Sequence, residues 1–252
     1  MRRHKIGYYS QMTKTILRNW TKAKRASQVF VITHSYLTFA QRREAPNVSL
    51  KRAWACHILR HLNVNVKIRG NMPPSEGPWV LVGNHLSYLD IPVLVMAVPE
   101  LSFLGKSEIA RWPLIGQGAK AMDTIFVNRN SGRSREQARE DVMRQLRRKR
   151  SKLCIFPSGT TSLGESSRWN KGAFEIAKSC PCQIVPFRLT YQPLEPIAYI
   201  DRDVFLAHLF QLVGLGSIDV TIEFGTPTFV DDPMITTQTT KEWSELNNGN
   251  AL

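Results

Sequence analysis

The chain is 252 residues long, 42% hydrophobic and strongly basic, with 34 Lys/Arg against 20 Asp/Glu and a net charge of +14. That length and apolar content suit one domain with a full hydrophobic core, and no repeat or low-complexity tract divides it. Cys56, Cys154, Cys180 and Cys182 lack paired zinc spacings, which points to free thiols in a reducing compartment and to no metal site.

Charge is concentrated at the amino terminus. Residues 1–60 hold 13 Lys/Arg against a single acid, Glu44, so +12 of the +14 lies there and the other 192 residues carry only +2. Tyr8, Tyr9, Trp20, Phe30, Tyr36 and Phe39 are interleaved with these cations. Basic groups that each contribute about 1 kcal/mol near an anionic bilayer, with aromatics able to insert, suit a membrane surface. The same charge could follow phosphates, but no zinc knuckle, RNA-recognition signature or helix-turn-helix accompanies it, so no nucleic-acid partner is expected. Residues 8–40 predict one or two basic amphipathic helices, with a membrane-facing hairpin as one arrangement. No cleaved signal peptide is expected, and no apolar run reaches the roughly 18 residues of a membrane span.

Gln41–Val48 reads as a connection. Leu50–Leu62 is predicted helical from Trp54, Ile58 and Leu62 at four-residue spacing, and Val64–Ile68 is predicted to be a strand. Beyond the loop Asn71–Gly77, strands and helices alternate, which predicts an α/β sheet. The strands expected are Trp79–Val82, Ser102–Gly105, Thr124–Asn128, Lys152–Phe156, Gln183–Phe187 and Ile218–Phe224. A proline-broken helix is expected over Lys106–Gly116, and regular helices over Ser131–Arg150, Gly172–Lys178 and Leu206–Val213. Residues 231–252 are polar and are expected to fray. The division expected is a basic helical segment at 1–48, a single mixed α/β domain at 49–230 and a polar tail at 231–252.

Asn84-His85-Leu86-Ser87-Tyr88-Leu89-Asp90 follows the first buried strand directly. A histidine at a strand end can be held rigidly beside a cleft. An aspartate five residues on can bond one ring nitrogen, fix the tautomer and leave the other as a base. Five residues of regular helix turn the chain by about 140°, so His85 and Asp90 meet only if the backbone bends at Leu86–Leu89. Asn84 either shapes this turn or donates towards a reacting carbonyl. Ser87 raises a Ser-His-Asp hydrolase, but it lacks Gly-x-Ser-x-Gly and lies only two residues from His85.

Three later segments extend the pattern. They are Gly105-Lys106 with Pro113-Leu114-Ile115-Gly116 and Ile125-Phe126-Val127-Asn128-Arg129; Phe156-Pro157-Ser158-Gly159-Thr160-Thr161-Ser162 with Lys171-Gly172-Ala173; and Ile184-Val185-Pro186-Phe187. Together with the His85 stretch they resemble, in order, the four blocks of the glycerolipid acyltransferase family, whose best-known members are the 1-acylglycerol-3-phosphate acyltransferases. The resemblance covers roughly residues 50 to 228. It implies direct transfer of a fatty acyl chain from acyl-CoA or acyl-carrier protein to a lyso-lipid hydroxyl, with His85 and Asp90 catalytic and with neither a metal nor a further cofactor. It also implies that Arg129 grips an acceptor phosphate and that Lys171 adds charge.

The third block departs from the family pattern. Ser158 stands where a glutamate is usual, and Thr161 where an arginine is usual. The hydroxyls and turn N–H groups of Ser158, Gly159, Thr160 and Thr161 can still bind an anion, and Arg168 is near enough in sequence to replace the missing cation. Ile91–Val98 is either an acyl-channel wall or plain core. The expected function is 1-acylglycerol-3-phosphate acylation in phospholipid synthesis by an enzyme attached to the cytoplasmic face of the cell membrane. A lyso-aminolipid acceptor, such as lyso-ornithine lipid, and a catalytically impaired binding relative are the alternatives.

Overall fold

The computed structural model describes residues 2–41, 48–147, 151–163, 168–200 and 203–245. Two helices, α1 (Arg2–Gln41) and α2 (Val48–His61), lead into a seven-stranded sheet. In chain order the remaining elements are β1 (Val64–Gly70), β2 (Trp79–Gly83), α3 (Asp90–Ala97), β3 (Ser102–Lys106), α4 (Ile115–Ala121), β4 (Ile125–Val127), α5 (Gly132–Leu146), β5 (Lys152–Ile155), α6 (Gly172–Ser179), β6 (Gln183–Gln192), α7 (Phe205–Leu212), β7 (Ile218–Phe224) and α8 (Pro233–Glu245). Across the sheet the order is β1-β7-β6-β2-β5-β3-β4. Every neighbouring pair is parallel except β6–β7, so the sheet is mixed, as expected.

β2 is the central strand and is buried along its whole length. Its side chains alternate between two cores, as the two-residue strand period requires. Trp79 and Leu81 join the core formed with α2, α3 and α7, while Val80 and Val82 join the one formed with α5 and α6. Helices thus cover both faces, which is what parallel strands need. β2, β3, β4 and β5 all point their carboxyl ends towards one edge. There the chain continues into His85, Lys106, Arg129 and Ser158 respectively, at the place where open α/β sheets bind ligands.

Of the one or two helices expected at the amino terminus the structure has one, α1, which runs unbroken for 40 residues rather than turning back as a hairpin. Over its second half α1 packs on the domain through Ala26, Val29, Phe30 and Ile32. Arg25 fixes the crossing by donating to the carbonyls of Val213 (2.6 Å) and His61 (3.0 Å). Part of the basic charge is therefore structural. Ile16, Leu17, Trp20, Val31 and Phe39 remain exposed. No described helix is long and apolar enough to cross a membrane.

Other boundaries also move. The connection over residues 42–47 lies outside the described residues. Lys106–Gly116 is a 3-10 turn at Ser107–Arg111, a break at Trp112–Leu114 and then α4. β6 runs five residues beyond its expected end, because β7 returns antiparallel along it as far as Gln192. The frayed tail is corrected as well: α8 is a helix that buries Thr237, Thr240, Ser244 and Glu245. It is held by Trp169 Nε1 donating to Glu245 Oε1 at 2.9 Å and by the Arg188 guanidinium over the Trp243 ring at 4.9 Å. Residues 246–252 lie outside the described part.

Candidate active site

β2 ends at Gly83, where a Cβ would collide with the carbonyl and ring of Phe187, so glycine lets β2 close on β6. The next residue, Asn84, is buried. Its Nδ2 donates to the Leu189 carbonyl at 2.8 Å and its Oδ1 accepts from the Leu189 N–H at 2.8 Å. Both ends of the amide are engaged on one backbone unit. Asn84 is thus a clamp between β2 and β6, the structural one of the two roles open to it.

The expected bend after His85 is present. Asp90 N–H donates to the Ser87 carbonyl at 3.1 Å, and Ile91 N–H to that of Tyr88 at 3.4 Å. This brings His85 Nδ1 to 2.6 Å from Asp90 Oδ2. Asp90 is fully buried in the first turn of α3, where the helix amino terminus favours a carboxylate. Its Oδ2 also accepts from the N–H groups of Leu86 (2.8 Å) and Ser87 (3.2 Å), while Oδ1 accepts from the Tyr191 hydroxyl (2.8 Å). With Nδ1–H donating to Asp90, the neutral imidazole carries its lone pair on Nε2. The ring stacks on Phe156, with centroids 3.8 Å apart and planes 15° apart, and the side chain is 19% exposed where it meets the cavity. Ser87 is fully buried, and its hydroxyl accepts from Leu89 N–H at 3.4 Å, so it has no place in a hydrolase triad.

Two loops face the histidine. Arg129, after β4, donates to the carbonyl of Gly159. The loop after β5 is pinned to the motif turn, with Ser162 N–H donating to the His85 carbonyl at 3.0 Å. Arg129, Gly159, Thr160 and Thr161 all line the same cavity as His85. Thr161 spends its hydroxyl on the Tyr199 carbonyl. Ser158 and Lys171, both expected at the substrate site, do not line the cavity. Ser158 Oγ donates to the Thr160 carbonyl at 2.8 Å and shapes the turn, while Lys171 lies on the α6 surface, 3.1 Å from Glu175. Arg168 is exposed and also off the cavity, so it does not replace the missing arginine.

The cavity has a volume of about 540 Å³, within the range of small-molecule sites. Its walls are mainly apolar and include Leu37 of α1, Trp54 of α2, Leu89, Phe103, Met122 and Phe205. Of Ile91–Val98, only Ile91 and Pro92 reach it; Val93, Leu94 and Val95 are fully buried core. Lys106, Glu108 and Arg129 supply charge beside the sheet edge. Burial pulls the Arg129 pKa down and the Glu108 carboxylate pulls it back up, so the two lie in each other's field. Burial pushes the Cys154 thiol and the Tyr191 phenol well above their ordinary values, and the Asp90 charge pushes both in the same direction.

Sequence reasoning missed Tyr191, Phe156, Lys106 and Glu108 as parts of this site. Tyr191 is 101 residues from Asp90 and looks like any aromatic in a buried strand. Lys106 and Phe156 had a signal, since they sit inside the second and third blocks.

A His-Asp pair thus stands at the strand ends of a mixed α/β sheet, beside a mainly apolar cavity. The chain belongs to the Acyltransferase family, whose model matches residues 63–190. It is 36% identical over 169 residues to the lyso-ornithine lipid O-acyltransferase of Pseudomonas aeruginosa, covering 65% of this chain and 64% of that one. It is 30% identical over 164 residues to a chloroplastic 1-acyl-sn-glycerol-3-phosphate acyltransferase of Arabidopsis thaliana, covering 64% of this chain and 46% of that one. The matched segments thus span less than two thirds of either relative. The crystal structure of the 1-acyl-sn-glycerophosphate acyltransferase PlsC of Thermotoga maritima superposes with a TM-score of 0.69 over 94% of this chain and 95% of that one, at 16% identity, which bears on the fold alone.

Proposed function

We propose that the protein transfers a fatty acyl group from a thioester, acyl-CoA or acyl-carrier protein, to the free hydroxyl of a lyso-lipid. The observation that carries this reading is His85, tied through Nδ1 to Asp90 and bordering an apolar cavity of about 540 Å³. In the reaction, Nε2 takes the proton of the acceptor hydroxyl as its oxygen attacks the thioester carbonyl. Asp90 stabilises the imidazolium that forms. The new C–O bond closes as the C–S bond breaks, and the imidazolium returns its proton to the leaving thiolate. The acceptor is itself the nucleophile, so no acyl-enzyme is needed. Acyl transfer from labelled acyl-CoA and acyl-carrier protein to a panel of lyso-lipids tests the reading. Turnover should fall by about 10²–10⁴ in His85→Ala; near-normal turnover in that variant rejects it.

1-Acylglycerol-3-phosphate is the acceptor that the family's best-known activity suggests. A zwitterionic amino-acid lipid is a second reading, and a specific observation favours it. Ser158, Lys171 and Arg168 are off the cavity, the Thr161 hydroxyl is engaged and the Lys51 ammonium on the cavity wall is paired with Asp123 at 3.2 Å, which leaves Arg129 and Lys106 as the cations for a headgroup, with the Glu108 carboxylate in the field of Arg129. A phosphate dianion is opposed by that carboxylate, whereas a headgroup with both a carboxylate and an ammonium suits both signs. Acylation of lyso-ornithine lipid in preference to 1-acylglycerol-3-phosphate supports this second reading, and the reverse preference removes it.

The exposed Ile16, Leu17, Trp20, Val31 and Phe39 of α1, alongside Lys14, Arg18 and Lys24, suit an anionic membrane surface on the cytoplasmic face. Leu17→Glu/Trp20→Glu should reduce co-sedimentation with anionic vesicles; unchanged binding removes this anchor.

A further inference from the structure

We propose that Tyr191 is a positioning residue for the reaction: its hydroxyl, bonded to Asp90 Oδ1, sets the rotation and charge distribution of that carboxylate and thereby the orientation and basicity of His85. This inference rests on the acyl-transfer reading.

The geometry is specific. Asp90 Oδ2 gathers three donors, from His85 Nδ1, Leu86 N–H and Ser87 N–H, at 2.6, 2.8 and 3.2 Å. The Tyr191 hydroxyl donates to the other oxygen at 2.8 Å. Rotation about the Cβ–Cγ bond would carry both oxygens off their donors, so the Tyr191 hydroxyl on Oδ1 adds a fourth, opposed restraint to the three on Oδ2. Tyr191 is itself buried and lies two residues along β6 from Leu189, the residue that Asn84 clamps. β6 therefore grips both ends of the motif turn.

The hydroxyl also draws charge towards Oδ1. Without it, more negative charge faces Nδ1 and the imidazolium is favoured. The other groups around the pair are the buried Cys154 thiol of β5, which is near Asp90, and Lys51, Tyr88, Lys106, Glu108, Arg129 and Tyr199 along the same cavity as His85. None of them bonds Oδ1, so the effect belongs to Tyr191.

The test is Tyr191→Phe, which keeps the ring and removes the donor. We expect kcat to fall about tenfold, with KM for both substrates changed by less than about twofold. That tenfold corresponds to about 1.4 kcal/mol, within the range for a hydrogen bond to a charged group. The acid limb of the kcat profile should move to higher pH. Histidine NMR titration, with the His85 resonance assigned from His85→Ala, should show the same upward displacement. Tyr191→3-fluorotyrosine, a stronger donor, should displace both downwards, and it keeps the test open if Tyr191→Phe fails to fold. A variant that loses thermal stability but keeps the kcat, profile and titration of the parent makes Tyr191 an ordinary core residue and overturns the proposal. The titration needs no turnover, so it judges Tyr191 even where no lyso-lipid is acylated, an outcome that would count against the acyl-transfer reading instead.

Discussion

The Arg129 guanidinium donates to the carbonyl oxygen of Gly159 and so ties the loop after β4 to the loop after β5. The contact holds the arginine on the cavity wall although β4 and β5 are not neighbours in the sheet. Gly159 has φ +74°, and a Cβ there would stand 2.6 Å from Arg129 Nη1. Gly159→Ala should therefore displace the guanidinium as well as strain the turn. The expected outcome is a severalfold rise in the acceptor KM, a smaller fall in kcat and about 1–2 kcal/mol of lost stability. Steady-state kinetics with thermal denaturation checks it, and an unchanged acceptor KM would show that the contact does not set the arginine's position.

Arg129 and Lys171 were both expected to carry acceptor charge, and the fold separates them. Arg129→Ala should raise the KM of an anionic acceptor about tenfold and that of a neutral one much less. Lys171→Ala should leave both unchanged and alter stability by less than about 0.5 kcal/mol, since its partner Glu175 is one turn along the same exposed helix surface. Parallel kinetics on the two variants decides the matter. A loss of acceptor affinity in Lys171→Ala would mean that α6 shifts towards the cavity when substrate binds.

The difference between these two residues shows what the sequence makes legible. His85 and Asp90 could be paired in advance because their contact is local: a five-residue spacing, one required bend and a strand end to carry it. The sheet was equally legible, since β2 reads as a run of buried apolar residues. Asn84 and Tyr191 were not, because their partners, Leu189 and Asp90, lie 105 and 101 residues away and are reached only through the placing of β6 beside β2, which no local pattern encodes. α8 was missed for a different reason. Its sequence, PMITTQTTKEWSE, is polar and rich in threonine, and it is held by two contacts at long range, Trp169 to Glu245 and Arg188 to Trp243. Propensity is a weak prior that such tertiary contacts override.

Asn84→Ala leaves the buried Leu189 N–H and carbonyl without the partner that now serves both. Each orphaned group costs about 1–3 kcal/mol, so a loss of several kcal/mol is expected. Urea denaturation should give a lower midpoint with an unchanged slope. Asn84→Asp is the sharper comparison. It keeps the acceptor for Leu189 N–H but turns a donor into a second carboxylate oxygen against the Leu189 carbonyl, and it should destabilise at least as much at neutral pH. Full stability in either variant would mean that the clamp does not hold β2 to β6.

Cys182 predicts how the fold responds to alkali. Its thiol is pushed up to about 11, by burial first and by the neighbouring Cys180 second. In the unfolded chain an ordinary cysteine loses its proton near pH 8.5. Between these values the native state holds a proton that the unfolded state has released, so stability falls as pH rises. The contribution is fully present below about pH 8.5 and is lost as pH climbs towards 11. Cys154, raised in the same direction by burial, adds to the slope from the same onset, and Tyr191 adds to it from about pH 10. Thermal midpoints measured from pH 7 to 11 should therefore hold steady and then drop, with a shallower drop in Cys182→Ala once its lower starting stability is subtracted. Identical slopes in parent and variant would show that the Cys182 thiol titrates at the same pH folded and unfolded, and that the packing of α6 against β6 does not shield it from water.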